Sequence, residues 1–432
     1  MKTVIWRWFL WTGMTLGTLA PLAAGPAGVE FLGLAALPGG DRAPADQSGL
    51  AHTLLEDGVS YQDRFDGFGS GLAWTGKGDR YLLLSDRGPN KVQYPGGAAV
   101  DFTTNYPNRF QVADIRVTRG AQGWKVEVVQ TGTRLLKTED GTPFTGLSTA
   151  FTSSDATKNL RLDSEGIRVA PDGTVWISDE YGPVVYHFAK DGRRIGTLPV
   201  PGSFLIDHPA ATLTQEMDPT ANPKGRYTNR GAEGLALAPD GTRMVVAMQS
   251  PLVQDGGLKG TNTRFLVYDL THPTQAPKQY VYRQDSTKTA NSEILALNSH
   301  QFLVDERDSN PGPQGVKLLY LIDLDQDPAP TEVSSVDKLD GKADVVVLKK
   351  TLFADLGTLL NASATFASPA GLPDKIEGIA FGPDLPDGRH LLLATNDNDY
   401  ATTFPNYVFA FAVDPSVVPG FRNMKIEGTS PW

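Results

Sequence analysis

Glu165 and Glu180 stand at the outer ends of two short apolar runs, "IRVA" and "TVWIS", that flank Pro171-Asp172-Gly173. An Asp-Gly pair suits the two-residue turn of a β-hairpin, because both positions tolerate positive φ. With the turn at Asp172-Gly173, Val169 pairs with Trp176, Ile167 with Ser178, and Glu165 lands opposite Glu180. Directly opposed side chains lie about 4.5–5.5 Å apart at Cβ, where like charges destabilise a sheet. A cation, an arginine or a shared proton must offset that repulsion, so the pair marks a candidate metal or ligand site. Close carboxylates raise one another's pKa, which makes Glu165 and Glu180 the candidate general bases.

The hairpin that positions these acids recurs at 69–88, 164–182, 232–250, 292–308 and 376–399. Each copy has a small or acidic residue, an apolar run, a turn and a second apolar run ending in polar residues. In the fourth copy a Ser299-His300 turn places Glu293 opposite Glu306. In the third, Glu233 faces Met248, and in the fifth Glu377 falls near Asn396. The first carries Ser70 and then Asp86-Arg87. Short runs rich in Val, Ile, Leu, Trp and Phe between turn residues read as strands, and no helical periodicity persists for ten residues. Two further strand candidates follow each of the first four hairpins. The fifth is followed only by "NYVFAFAV" (406–413), and "VEFLGLAAL" (29–37) is free to supply its missing strand. The prediction is an all-β fold, a β-propeller of five four-stranded blades closed by an N-terminal strand. Uneven repeat spacing leaves six blades open, and a β-sandwich would explain the strands but not their repetition.

In a propeller the first strand of every blade lines a central channel, so the polar ends of all five hairpins converge on one channel mouth. The expected ring holds Asp86, Glu165, Glu180, Glu233, Glu293, Glu306, Glu377 and Asn396. Carboxylates and amides without thiols or imidazoles suit Ca²⁺, with Mg²⁺ as the alternative. Arg87, Arg230 and Arg307 lie within three residues of these positions and would grip a small anionic substrate. A self-neutralising network of Arg–Glu pairs is the competing, purely structural reading. The long polar segment 201–230 is expected over the mouth, with Lys224 and Arg226 adding positive charge.

Composition narrows the function classes. A net charge of −10 over 432 residues argues against nucleic acid as a partner. Residues 1–25 have Lys2 and Arg7, an apolar stretch and small residues near Ala24, the layout of a signal peptide. The expectation is a secreted or periplasmic protein with no stable membrane anchor after cleavage. Cysteine is absent, so no disulfide framework supports it. No G-x-S-x-G, H-E-x-x-H or Walker loop occurs, which argues against a serine esterase, a zinc hydrolase of that type and a P-loop enzyme.

Six fragments carry a resemblance: "SDRG" (85–88), "DSEGI" (163–167), "SDEYGP" (178–183), "NRGAEGLA" (229–236), "KIEGIAF" (375–381) and "NDND" (396–399). In this order they resemble the bacterial phytase-like family described as having esterase-like activity of phytase. The resemblance implies an exported β-propeller at 29–415, followed by a tail at 416–432. It also implies a hydrolase without fixing the substrate; phosphate esters, cleaved at the carboxylate ring with its metal, are the expected substrates, and a monomer is the expected state. Two alternatives stand beside it: a non-enzymatic propeller that binds a ligand or protein, and a calcium-dependent hydrolase of the lactonase type.

Overall fold

The computed structural model describes residues 28–432 except 91–101, 122, 154, 156, 211, 340, 364–370, 402–403 and 427–431. The signal-peptide expectation for 1–25 lies outside the described residues. Five four-stranded antiparallel sheets form a ring, a five-bladed β-propeller. Blade 1 comprises β2 (Phe68–Trp74), β3 (Arg80–Ser85), β4 (Arg109–Gly120) and β5 (Gly123–Leu135). Blade 2 comprises β6 (Ser164–Val169), β7 (Val175–Asp179), β8 (Val184–Phe188) and β9 (Arg194–Thr197). Blade 3 holds β10 (Ala232–Leu237), β11 (Arg243–Met248), β12 (Asn262–Asp269) and β13 (Lys278–Arg283). Blade 4 holds β14 (Ala290–Ala296), β15 (Gln301–Arg307), β16 (Lys317–Asp323) and β17 (Lys350–Asp355).

Blade 5 is shared between the termini. Its strands β18 (Ile376–Phe381), β19 (His390–Asn396) and β20 (Asn406–Val413) are completed by β1 (Val29–Leu37), which runs antiparallel to β20. Among the described residues α-helix is confined to α1 (Leu213–Glu216) and α2 (Leu356–Asn361), beside a few single 3-10 turns.

Alternating apolar positions give each blade two greasy faces, and the core divides accordingly. Five hydrophobic clusters lie one between each pair of neighbouring blades. The innermost strands pack edge to edge around the axis, and glycine sets how close they come. A Cβ on Gly71 would stand 2.4 Å from the Glu165 carbonyl oxygen, and one on Gly166 would stand 2.6 Å from the Leu235 Cβ. Gly234 meets the Glu293 backbone in the same way. The Glu-Gly pairs of the repeat thus combine an acid for the channel with a gap for the next blade.

The tail runs beneath the ring, at the hairpin-turn ends. The Arg422 amide donates to the Leu297 carbonyl (2.8 Å), Asn423 donates to Gly382 (2.6 Å), and Phe421 packs on Phe381. Above it Arg168 ties three blades, donating to the carbonyls of Leu72 (2.9 Å) and Ile294 (2.8 Å) and pairing with Glu293 (3.0 Å).

Candidate functional site

Every inner hairpin is bulged where it opens onto the mouth. The register slips at Phe68/Gly71, Ser164/Ile167, Ala232/Gly234, Asn291/Glu293 and Ile376/Ile379. A bulge leaves residues unpaired and re-aims their side chains. Here it frees Ser70, Glu165, Glu233, Ser292 and Glu377 from the ladder. One residue beyond the pair that closes each bulge on this side stand Asp86, Glu180, Gln249, Arg307 and Asp397. The two sets are equivalent positions of the five blades, and Glu165, Glu233, Glu377, Glu180, Gln249, Arg307 and Asp397 line the channel mouth.

That register corrects the expected pairings. Ala170 pairs with Thr174 around a three-residue Pro171-Asp172-Gly173 turn, with Gly173 at φ 81°. Ile167 therefore faces Ile177, and Glu165 does not oppose Glu180. The bulge nonetheless brings them together: carboxylate oxygens of Asp163, Glu165 and Glu180 lie within 4.8 Å of one another. In blade 4 the bulge falls on Ser292, so Glu293 occupies the position held by Gly234 in blade 3. Its Oε1 accepts from the Leu235 and Ile294 amides and its Oε2 meets Arg168, below the mouth.

Two further members of the expected ring stand one residue short of it. Glu306 pairs with Asn291 rather than Glu293 and turns between blades 3 and 4. There it accepts from the Tyr282 hydroxyl (2.7 Å) and from Lys350 (2.6 Å). Asn396 spends its amide on the Tyr407 and Pro405 backbones. The mouth positions belong to their successors, Arg307 and Asp397.

The mouth is a cavity of about 400 Å³. Seven carboxylates line it (Glu165, Glu180, Glu233, Asp374, Glu377, Asp397 and Asp399), against four cations: Arg87, Arg230, Arg307 and Lys375. On one side the charges are matched. Lys375 donates to Asp397 and Asp399, 2.7 Å each, and Arg307 pairs with Glu377. Asp86 joins Asp397 and Asp399 within 4.8 Å, a trio already served by Lys375. Arg87 grips Asp163 from 2.9 and 3.1 Å.

On the other side they are not matched. Among the described residues no Lys or Arg forms an ion pair with Glu165, Glu180 or Glu233, all at most 6% exposed. Glu180 Oε1 and Glu233 Oε2 have no hydrogen-bond partner. Burial, then Glu233 and Asp163, push Glu165 and Glu180 well above the usual carboxylate range. Burial and Glu377 push Glu233 up to about 8. Burial also pushes on Asp163, but Arg87 and Arg161 outweigh it and hold that carboxyl below its ordinary value.

The loops bring residues that the repeat did not flag: Asp163, Asp374, Lys375, Asp399, Asn90, Asn229 and Ser309. Asp163 and Lys375 begin the quoted "DSEGI" and "KIEGIAF", each two residues before its Glu. Asn229 (φ 53°) and Asp399 (φ 50°) hold left-handed backbone, uncommon for residues with a side chain and typical of constrained sites. Among the described residues, segment 201–230 reaches the mouth through Asn229 and Arg230. Contrary to expectation, Arg226 is buried against Glu216 (3.0 Å) and the Tyr181 carbonyl (2.6 Å), and Lys224 sits beside Asp207.

A five-bladed propeller with an acidic, partly unneutralised channel mouth is thus the class of protein defined by fold and site. Over residues 63–400 the chain matches the phytase-like family described as "esterase-like activity of phytase", and it belongs to that family. It is 28% identical to an uncharacterized secreted protein of Arthroderma benhamiae, over 82% of this chain and 83% of that one. A gluconolactonase of Xanthomonas campestris aligns at 12% identity over 88% of this chain and 98% of its own, with TM-score 0.33. A luciferin-regenerating enzyme aligns at 12% identity over 84% and 96%, with TM-score 0.34. Likeness at that level says nothing of shared chemistry. No helix among the described residues is long and apolar enough to cross a membrane.

Proposed function

We propose that the protein is an exported, metal-dependent hydrolase that cleaves phosphate esters at the channel mouth. The observation that carries the reading is the wall of Glu165, Glu180 and Glu233, buried carboxylates without a Lys or Arg ion pair among the described residues, of which Glu180 and Glu233 each keep an acceptor oxygen without a partner. Family membership and the secreted relative support the hydrolase class and the export.

The donors fit a hard cation. Oxygens on Ca²⁺ sit about 2.3–2.6 Å from the ion, so two of its ligands lie at most about 5 Å apart. The Asp163–Glu165–Glu180 trio, within 4.8 Å, meets that limit. These three would hold the ion, with Glu233 and the Gln249 amide beside them; Mg²⁺ would need a tighter octahedron. Bound there, the metal would supply charge stabilisation at a phosphoryl oxygen and a water of lowered pKa.

The chain's own groups complete the site. Of Glu165 and Glu180, the one that keeps a carboxylate oxygen free of the ion would accept the proton of the attacking water. Arg230, which forms no ion pair among the described residues and approaches Ser250 at 3.4 Å, is the cation most available to a substrate anion. Arg87 and Arg307 are committed to Asp163 and Glu377 and add positive charge around it.

The test is elemental analysis of the purified protein together with hydrolysis of p-nitrophenyl phosphate, bis-p-nitrophenyl phosphate and p-nitrophenyl acetate, with and without calcium. Phosphoesterase activity lost on chelation and restored by calcium is expected. Activity that survives thorough chelation refutes the metal. No turnover of any ester, with calcium still bound, makes the protein a ligand-binding propeller. Turnover restricted to lactones moves it to the lactonase type.

A further inference from the structure

Beside the acidic mouth lies a second cavity of about 290 Å³, joined to it through Arg87, Asn90, Asn229 and Arg230. Its electrostatics are inverted. Three guanidinium groups, Arg87, Arg161 and Arg230, line it, and among the described residues no carboxylate does.

Arg161 is the unusual member. Its residue is 1% exposed, yet Nε and Nη1 have no hydrogen-bond partner. A buried guanidinium with unused donors is costly, since each unmet donor forfeits its water without a replacement. Its Cζ lies over the Tyr181 ring, 3.1 Å from the centroid, and this stacking fixes the plane of the fork without using its N–H groups. The opposite wall is apolar: Met217 and Leu258, 40% and 42% exposed, stand with Tyr227 at the rim.

We infer that this cavity is an oxyanion subsite that takes a carboxylate or phosphate carried on a small aromatic or apolar body. Arg161 is its deep anchor, and Tyr227, Met217 and Leu258 cover the organic part. Resting on the proposed function, this deepens it. The substrate is an ester whose non-reacting arm bears its own anion, held here while the ester group reaches the carboxylate wall. Opposite polarities in adjoining cavities set the direction in which such a molecule lies.

Binding is measured by calorimetry on the full-length mature protein in chelator, where the proposed hydrolysis is off. The probes are phenylphosphonate, whose C–P bond resists hydrolysis, benzoate and inorganic phosphate. Phenylphosphonate and benzoate are expected to bind more tightly than inorganic phosphate, and the stronger of the two identifies the anion. Arg161→Gln should weaken the better probe at least tenfold, the loss of one charge-assisted hydrogen bond. Leu258→Trp fills the rim at an exposed position, so it tests the cavity without touching the core, and should weaken binding similarly.

Equal affinity in Leu258→Trp, or in a folded Arg161→Gln, overturns the subsite, as does the absence of any binding. If Arg161→Gln fails to fold, Leu258→Trp alone decides. Anion binding retained in a protein that hydrolyses nothing refutes the proposed function alone. Calcium-dependent hydrolysis in a protein that binds no probe refutes the subsite alone.

Discussion

Glu233 offers the sharpest test of the unneutralised wall. Burial and the Glu377 carboxylate push its carboxyl up to about 8 in the folded protein, against an ordinary value of 4.5. Below pH 4.5 it is protonated both folded and unfolded, and stability does not depend on it. Between 4.5 and 8 the unfolded chain has released a proton that the native state keeps. The native state then binds more protons, so stability falls as pH rises, and the loss is complete above the folded pKa. The difference of 3.5 units between those two values amounts to roughly 5 kcal/mol, at about 1.4 kcal/mol per unit.

With an unfolding entropy of about 2.1 cal/mol/K per residue, a chain of some 400 residues shifts by roughly 1 °C per kcal/mol. Between pH 5 and pH 8, where the titration is not complete at either end, this group accounts for about 3.5 kcal/mol of the total, so metal-free wild type should melt roughly 4 °C lower at pH 8 than at pH 5 on its account. Glu165 and Glu180 add to the drop in the same direction. Glu233→Gln removes the titration and relieves both neighbours, so its melting point should depend much less on pH. Calcium at a hundredfold excess over Kd should return about 2.7 kcal/mol at pH 8 to wild type. The assay is differential scanning calorimetry in chelator and in calcium at both pH values. A wild-type melting point that does not fall from pH 5 to 8, or a Glu233→Gln variant that falls equally, refutes the reasoning.

Three further outcomes follow from the geometry. Glu180→Gln should lower calcium affinity more than tenfold by calorimetry, whereas Glu306→Gln, whose residue faces Lys350 between blades, should leave it unchanged. Arg168→Met strands the buried Glu293 and should cost about 3–5 kcal/mol in urea unfolding; adding Glu293→Gln should recover part of that loss. Gly166→Ala would bring a methyl to within 2.6 Å of the Leu235 Cβ and should destabilise the protein. Overpacking of this kind costs about 1–3 kcal/mol, read from the denaturation midpoint.

Much of the architecture is legible in the chain because propeller blades repeat. Five recurring hairpins point to five blades, their uneven spacing alone leaving room for a sixth, and the apolar "VEFLGLAAL" has the right length and pattern for the open edge of the fifth. Several acids can likewise be assigned to one channel mouth from their place at hairpin ends. Which acids enter is harder to read, because side chains alternate faces and a slip of one residue exchanges them. Glu306 and Asn396 each stand one residue short of the mouth, and Glu293 sits where a glycine stands in blade 3. The hairpin turn is also one residue longer than Asp172-Gly173 alone would suggest.

The sequence by itself determined the repeat, the strand character and the gathering of acids, since these depend on local pattern, while closure of the ring in the structure decided five blades rather than six. The tertiary structure decided where each bulge falls, because the bulge answers to the backbone of the neighbouring blade across the Glu-Gly gap. It also decided which carboxylates are neutralised, since Lys375 and Arg307 reach partners on other strands. The arginine-lined cavity belongs there too. Arg161, Tyr181, Tyr227 and Leu258 come from separate stretches of chain, and no spacing along the sequence records that they meet.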